Sequence, residues 1–245
     1  MGRPARSRGC GVPKRKANDF FIGDIIPGKV WFIDANVLTH WVLGSGGVLD
    51  VLCAGYHLSP EFRDVYASHY AESISFIDAI VNDEISDSSH EFYVSSLAIN
   101  ELFYAMKDEL RSIILFNKGM PISRWRDARA NPEIPEKCFR AVYNKTFQSF
   151  DTLLGEGRIH YITEGSAESD PEYWSIYAPL LFLTKDAKTQ DATLLTTAII
   201  NRADYFVTKD EPLMKAAKKK LLDTYQMELI RPSRGLELLE QKKHR

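Results

Sequence analysis

Four acidic residues stand where an α/β chain can do chemistry: Asp34 in Ile33-Asp34-Ala35-Asn36, Glu101 in Ser95-Ser96-Leu97-Ala98-Ile99-Asn100-Glu101, Asp191 in Gln190-Asp191-Ala192, and Asp210 in Thr208-Lys209-Asp210. Carboxylates are hard oxygen donors, and a gathered set of them suits Mg²⁺ or Mn²⁺. With two ions about 3.5–4 Å apart, such a site lowers the pKa of an attacking water and stabilises a departing oxygen, so no catalytic histidine is needed. Taken singly, each acid has a plainer role. Asp34 and Asp210 can cap helices, Asp191 can complement a helix dipole, and Glu101 can pair with a lysine. The cap reading is good for Asp210, because Glu211-Pro212 follows and proline suits a first helical turn.

The elements that would position these acids can be read from the hydrophobic pattern. Val30-Trp31-Phe32-Ile33 is a short apolar run ending at Asp34 and reads as a buried parallel strand. Phe92 to Ser95, Ile159 to Ile162, Tyr205 to Thr208 and Met227 to Ile230 read the same way. Helical spacing is predicted over Pro60 to Val81, Leu97 to Phe116, Glu136 to Leu154, Asp191 to Arg202 and Glu211 to Leu222. Strands alternating with helices imply an α/β fold, and in open parallel sheets ligands bind at the carboxyl ends of the strands. Asp34 and Asp210 follow two such ends. A helix capped at Ser95 or Ser96 carries Glu101 about one turn in, and Asp191 falls in the first turn of its helix.

In these residues the sequence resembles the PIN-domain family. The resemblance is carried by Ile33-Asp34-Ala35-Asn36-Val37-Leu38, by Ser95 to Leu102, by Asp191-Ala192 with Ala198, and by Tyr205-Phe206-Val207-Thr208-Lys209-Asp210. It covers the chain from about Val30 to Leu239. It implies a three-layer PIN-like fold, with a central, mostly parallel sheet of about five strands flanked by helices. It also implies a Mg²⁺- or Mn²⁺-dependent endoribonuclease with Asp34, Glu101, Asp191 and Asp210 as metal ligands and catalytic residues. Asn36, Ser96 and Thr208 then orient those ligands or their waters, or else serve as turn and capping residues. Small toxin nucleases of the VapC kind look similar but are shorter, the extra length here lying at about 41–91 and 118–189 as helical insertions. RNA is the implied substrate, a homodimer is common in the family, and an antitoxin-like protein partner stays open.

Residues 1–17 hold Arg3, Arg6, Arg8, Lys14, Arg15 and Lys16 with no apolar face, and are expected to form a disordered basic arm ahead of one domain over 18–245. The net charge of −2 thus hides a more acidic body. An acidic body that handles a polyanion needs metal ions or local basic patches. Arg124-Trp125-Arg126 with Arg129 interleaves cations with an aromatic as single-strand binders do, and Phe139, Arg140, Tyr143 and Lys145 extend the pattern. The alternative is core aromatics beside a solvated charged face.

The three cysteines, Cys10, Cys53 and Cys138, are scattered and lack zinc spacing, and no signal or membrane segment is evident, so a cytoplasmic protein is expected. A haloacid dehalogenase-type phosphatase would want a second aspartate at position 36, which is Asn36. A structure-specific DNA nuclease and a catalytically inactive RNA-binding module of the same fold remain as rival readings.

Overall fold

A computed structural model describes residues 29–82, 90–128, 132–155, 157–182 and 189–240, apart from the side chains of Ile122 and Arg126. The expected basic arm, Arg129 and Cys10 lie outside these residues.

Strand β1 (Val30–Ile33) is the middle of a five-stranded sheet. It pairs on one side with β2 (Glu91–Ser95) and on the other with β4 (Tyr205–Val207), while β3 (Ile159–Ile162) and β5 (Glu228–Ile230) form the edges. Every pairing is parallel. The predicted strands therefore fall within one residue of the observed ones, and the expectation of a mostly parallel sheet is met by a wholly parallel one.

Register explains why β1 tolerates no polar residue before Asp34. Trp31 sits opposite Phe92 on one neighbour and Tyr205 on the other, with ring centroids 5.8 and 4.4 Å away. On the opposite face Phe32 lies beside Phe206 at 6.1 Å. Successive strand side chains point to opposite faces, so a strand covered on both sides is apolar at every position. Burying each such side chain stabilises the fold by roughly 1.5–3 kcal/mol.

Between β1 and β2 run α1 (Ala35–Leu43), α2 (Val48–Tyr56), α3 (Pro60–Ser68) and α4 (Ala71–Val81). Then follow α5 (Ser96–Asn117), a 3₁₀ turn (Ile122–Arg124), α6 (Trp125–Ala128) and α7 (Glu136–Gly155) before β3. Next come α8 (Glu164–Glu168), α9 (Tyr173–Leu181) and α10 (Thr189–Ile200) before β4. Helix α11 (Glu211–Tyr225) joins β4 to β5, and α12 (Pro232–Glu240) ends the described chain.

Strand order 3-2-1-4-5 has one reversal of direction. Right-handed crossovers put the β1–β2–β3 connections on one face of the sheet and the β3–β4–β5 connections on the other, giving three layers. Helix α4 covers the first face through Phe76, 6.1 Å from Trp31. Helix α12 returns to that face, where Gly235 lies against the Phe76 ring.

The helix predicted over Pro60 to Val81 is two helices, broken at His69-Tyr70. Helices α1, α2 and α9 carry no prediction in the periodicity. The stretch at about 118–189, expected as an insertion, also supplies edge strand β3. No single helix among the described residues is long and apolar enough to cross a membrane.

Candidate acidic site at the switch point of the sheet

In a sheet of this order the chain leaves β1 and β4 in opposite directions, and their carboxyl ends open a crevice. Asp34 closes β1 there, and its backbone N–H bonds the Val207 carbonyl of β4 at 3.0 Å. The side chain is 7% exposed. It caps α1, Oδ1 accepting the Ala35 N–H at 2.7 Å, so the plainer role expected for it is real. The other oxygen, Oδ2, accepts from Asn36 Nδ2 and from Thr208 Oγ1, both at 2.6 Å. A carboxylate offers about four lone-pair directions, so these three bonds leave about one open, on Oδ1.

Thr208 is fully buried and joins the two strand ends. Its hydroxyl donates to Asp34 and accepts the Asp210 N–H at 3.0 Å. Asn36 clasps the same junction. Its amide nitrogen also reaches Thr208 Oγ1 at 3.1 Å, and its carbonyl oxygen accepts the Lys209 N–H at 3.0 Å. Asp210 in turn caps α11, Oδ1 accepting from the Leu213 N–H at 2.8 Å, with Pro212 in the first turn as expected.

Asp191 is half-buried in the first turn of α10. Burial raises the Asp34 pKa from 3.8 to about 6, opposed by the Thr208 and Ala35 hydrogen bonds and reinforced by the negative charges of Asp191 and Asp210. Three of the four predicted acids therefore share one electrostatic field. Glu101 is half-buried in the second turn of α5, whose N-cap is Ser95, accepting from the Ala98 N–H at 3.1 Å. It is not among the leading influences on Asp34.

Asn36 and Thr208 thus hold the Asp34 carboxylate, whereas Ser96 turns elsewhere. Its hydroxyl donates to Glu164 at the start of α8, and the Leu97 N–H bonds the same carboxylate at 2.9 Å. A carboxylate beside the first N–H groups of a helix is favourable for the dipole and satisfies orphan donors. Sequence reading missed Glu164, and nothing local announces a cap 67 residues away from the N–H it receives.

A second group gathers at the break between α3 and α4. The Lys209 ammonium reaches the His69 carbonyl at 3.3 Å, where α3 breaks from α4. His40, one turn beyond Asn36, stacks on Tyr70 with centroids 4.3 Å apart and meets Ser73 Oγ at 3.1 Å. Burial, aided by the Lys209 charge, lowers the His40 pKa from 6.5 to about 4, so its imidazole is neutral at physiological pH.

Among the described residues no three carboxylate, imidazole or thiolate groups stand close enough to ligate one metal ion together. Mg²⁺ takes one or two carboxylates directly and keeps several waters, so an ion here would need only one or two of Asp34, Asp191 and Asp210 as direct ligands. The burial of Asp34 among like charges is the condition that a cation would relieve.

Of the expected nucleic-acid contacts, Arg124 is exposed. Trp125 is buried, its indole N–H bonding the Met120 carbonyl at 2.9 Å and its ring standing edge-on to Phe116. As placed, that ring packs the interior. By contrast Phe139, Tyr143 and Phe147 of α7 lie exposed in one row beside Phe103, with neighbouring centroids 5.4–6.3 Å apart.

Comparison with known proteins finds no family model, no curated protein and no solved structure that matches this chain.

Proposed function

We propose that the chain is a PIN-type endoribonuclease that cleaves phosphodiester bonds of RNA with Mg²⁺ or Mn²⁺ at Asp34, Asp191 and Asp210, with Glu101 completing the acidic set. The observation that carries this reading is the bonded junction Asp34–Thr208–Asp210 at the switch point of the sheet, with Asp191 close enough to act on Asp34. A bound divalent ion would supply an acidified water and neutralise charge on the departing oxygen. The chain's own part is to fix the carboxylates. Thr208 and Asn36 hold the Asp34 oxygens against rotation, and Asn36 ties the backbone of Lys209 into the same clasp. Lys209, the chain neighbour of Asp210, carries a cation at the His69 carbonyl, and from there it would offset part of the repulsion between a phosphate and the carboxylates. Free Cys53 and Cys138 suit a reducing cytoplasm.

The test is cleavage of labelled single-stranded RNA, structured RNA and DNA with Mg²⁺, with Mn²⁺ and with EDTA, alongside Asp34→Asn and Asp210→Asn. The expected result is RNA cutting that needs metal and is lost in both variants. Cutting of DNA alone would move the chain to the DNA nucleases. RNA binding without cutting under any metal would make it a non-catalytic module.

A further inference from the structure

Where α5, α8 and α10 begin lies an open cleft of about 310 Å³. Its walls include Leu97 and Asn100 of α5, Glu164 and Glu168 of α8, and Gln190 and Thr193 of α10. We propose that this cleft receives the base of an RNA nucleotide next to the bond that is cut, and that its chemistry selects guanine. Its role in cleavage rests on the nuclease reading above.

The volume is at the lower end of small-molecule sites, which run to about 300–1,000 Å³. Among the described residues no lysine, arginine or histidine lines it, which suits a base better than a phosphate. What it offers is one apolar side chain, two primary amides, hydroxyls and two carboxylates, the kind of lining that reads a splayed base along its Watson–Crick edge.

The two carboxylates are not equivalent. Glu164 is committed to the Ser96 hydroxyl and the Leu97 N–H, and so it fixes the wall of the cleft. Thr193 is held in place by its hydroxyl, which donates to the Thr189 carbonyl at 2.9 Å. Glu168 is exposed and has no hydrogen-bond or ion-pair partner among the described residues. A carboxylate exposed in this way can accept two parallel N–H bonds, and guanine is the base whose Watson–Crick edge presents two adjacent donors, N1–H and N2–H. The amide N–H of Asn100 or Gln190 can then meet O6. Placement supports the assignment, since Asn100 and Gln190 are the chain neighbours of Glu101 and Asp191. The cleft therefore draws on the same turns of α5 and α10 that carry these two acids.

The experiment uses the full chain. Binding of guanosine, adenosine, cytidine and uridine is followed by NMR in EDTA, for wild type, Glu168→Gln and Asn100→Ala, and cleavage positions on a mixed-sequence RNA are mapped with Mn²⁺. Guanosine is expected to bind about tenfold or more tighter than the other nucleosides and to lose about that factor in Glu168→Gln, the discrimination typical of a paired base contact. Cuts should cluster beside guanines in wild type and spread to other bases in Glu168→Gln. Four nucleosides binding alike, or an unchanged profile in Glu168→Gln, overturns the pocket. RNA cut without base preference sinks the pocket and leaves the nuclease reading standing. Guanosine bound through Glu168 by a chain that cuts nothing supports the pocket as a binding site and sinks its role in cleavage.

Discussion

Thr208 Oγ1 lies 2.6 Å from Asp34 Oδ2 and donates to it, although the two residues are 174 positions apart. The same oxygen accepts the Asp210 N–H. One buried hydroxyl therefore sets both the orientation of the central acid and the start of α11. Thr208→Val keeps the shape and removes both bonds. It should cost about 1–3 kcal/mol of stability, because a buried carboxylate lone pair and an N–H lose their partner. Metal-dependent cleavage should fall about 10–100-fold, as for other residues that orient ligands. Thr208→Ser should restore most of the activity. Urea denaturation and single-turnover rates check both, and a Val variant as active as wild type would remove Thr208 from the positioning role.

Metal and fold should be coupled at Asp34. An ion that binds the native chain and not the unfolded one stabilises by about 2.7 kcal/mol at a hundred times its Kd. Mn²⁺ or Mg²⁺ is thus expected to raise the Tm of wild type, and to leave the Tm of Asp34→Asn where it is in EDTA. Differential scanning fluorimetry across a metal titration checks this. Equal shifts in the two proteins would place the ion elsewhere.

Acid should act on Asp34 and His40 in opposite directions. Asp34 titrates near 6 in the fold against an ordinary 3.8, so between those values the native state holds the extra proton and stability rises as pH falls. His40 titrates near 4 against an ordinary 6.5, so over nearly the same window the unfolded state holds the extra proton and stability falls as pH falls. Each shift corresponds to about 3 kcal/mol, and the two largely cancel. In EDTA, Asp34→Asn should therefore lose stability between pH 6.5 and 4.5 by more than wild type does. The urea midpoints of both proteins at the two pH values measure the difference, and parallel behaviour would contradict the burial of the Asp34 charge.

Gly235 tests the return of α12 to the sheet. A Cβ there would lie 2.7 Å from the Phe76 ring, which is itself fully buried against Trp31. Gly235→Ala is expected to destabilise by about 1–3 kcal/mol despite the better helix propensity of alanine, since overpacking outweighs the smaller backbone gain. Pairing it with Phe76→Leu should recover part of the loss. Chemical denaturation of the single and double variants reads the coupling.

Much of the sheet was legible because strands buried on both faces must be apolar throughout, and runs such as Val30-Trp31-Phe32-Ile33 announce themselves. Asp34 and Asp210 were legible as charges closing such runs. Helix α1 was hidden, since Ala35 to Leu43 continues the apolar run of β1 and nearly all of it is buried, leaving little periodicity to read. The break at His69-Tyr70 was hidden for another reason. No proline or glycine marks it, and the contacts found there, the Lys209 ammonium on the His69 carbonyl and His40 stacked on Tyr70, come from distant parts of the chain. Trp125 shows the converse case, where composition left open a stacking surface or a core aromatic and the ring is buried.

The order of the strands also sets when the site comes into being. Asp34 follows the first of the described strands, yet its hydroxyl partner arrives only after the fourth, once the second and third are laid on the other side. Contacts this far apart pay their loop-closure entropy late in folding. A chain emerging from the ribosome, or one cut short before Thr208, holds its first acid without the hydroxyl that orients it. Assembly of the acidic site should therefore report completion of the sheet, so that partly made copies are folded in part and inert.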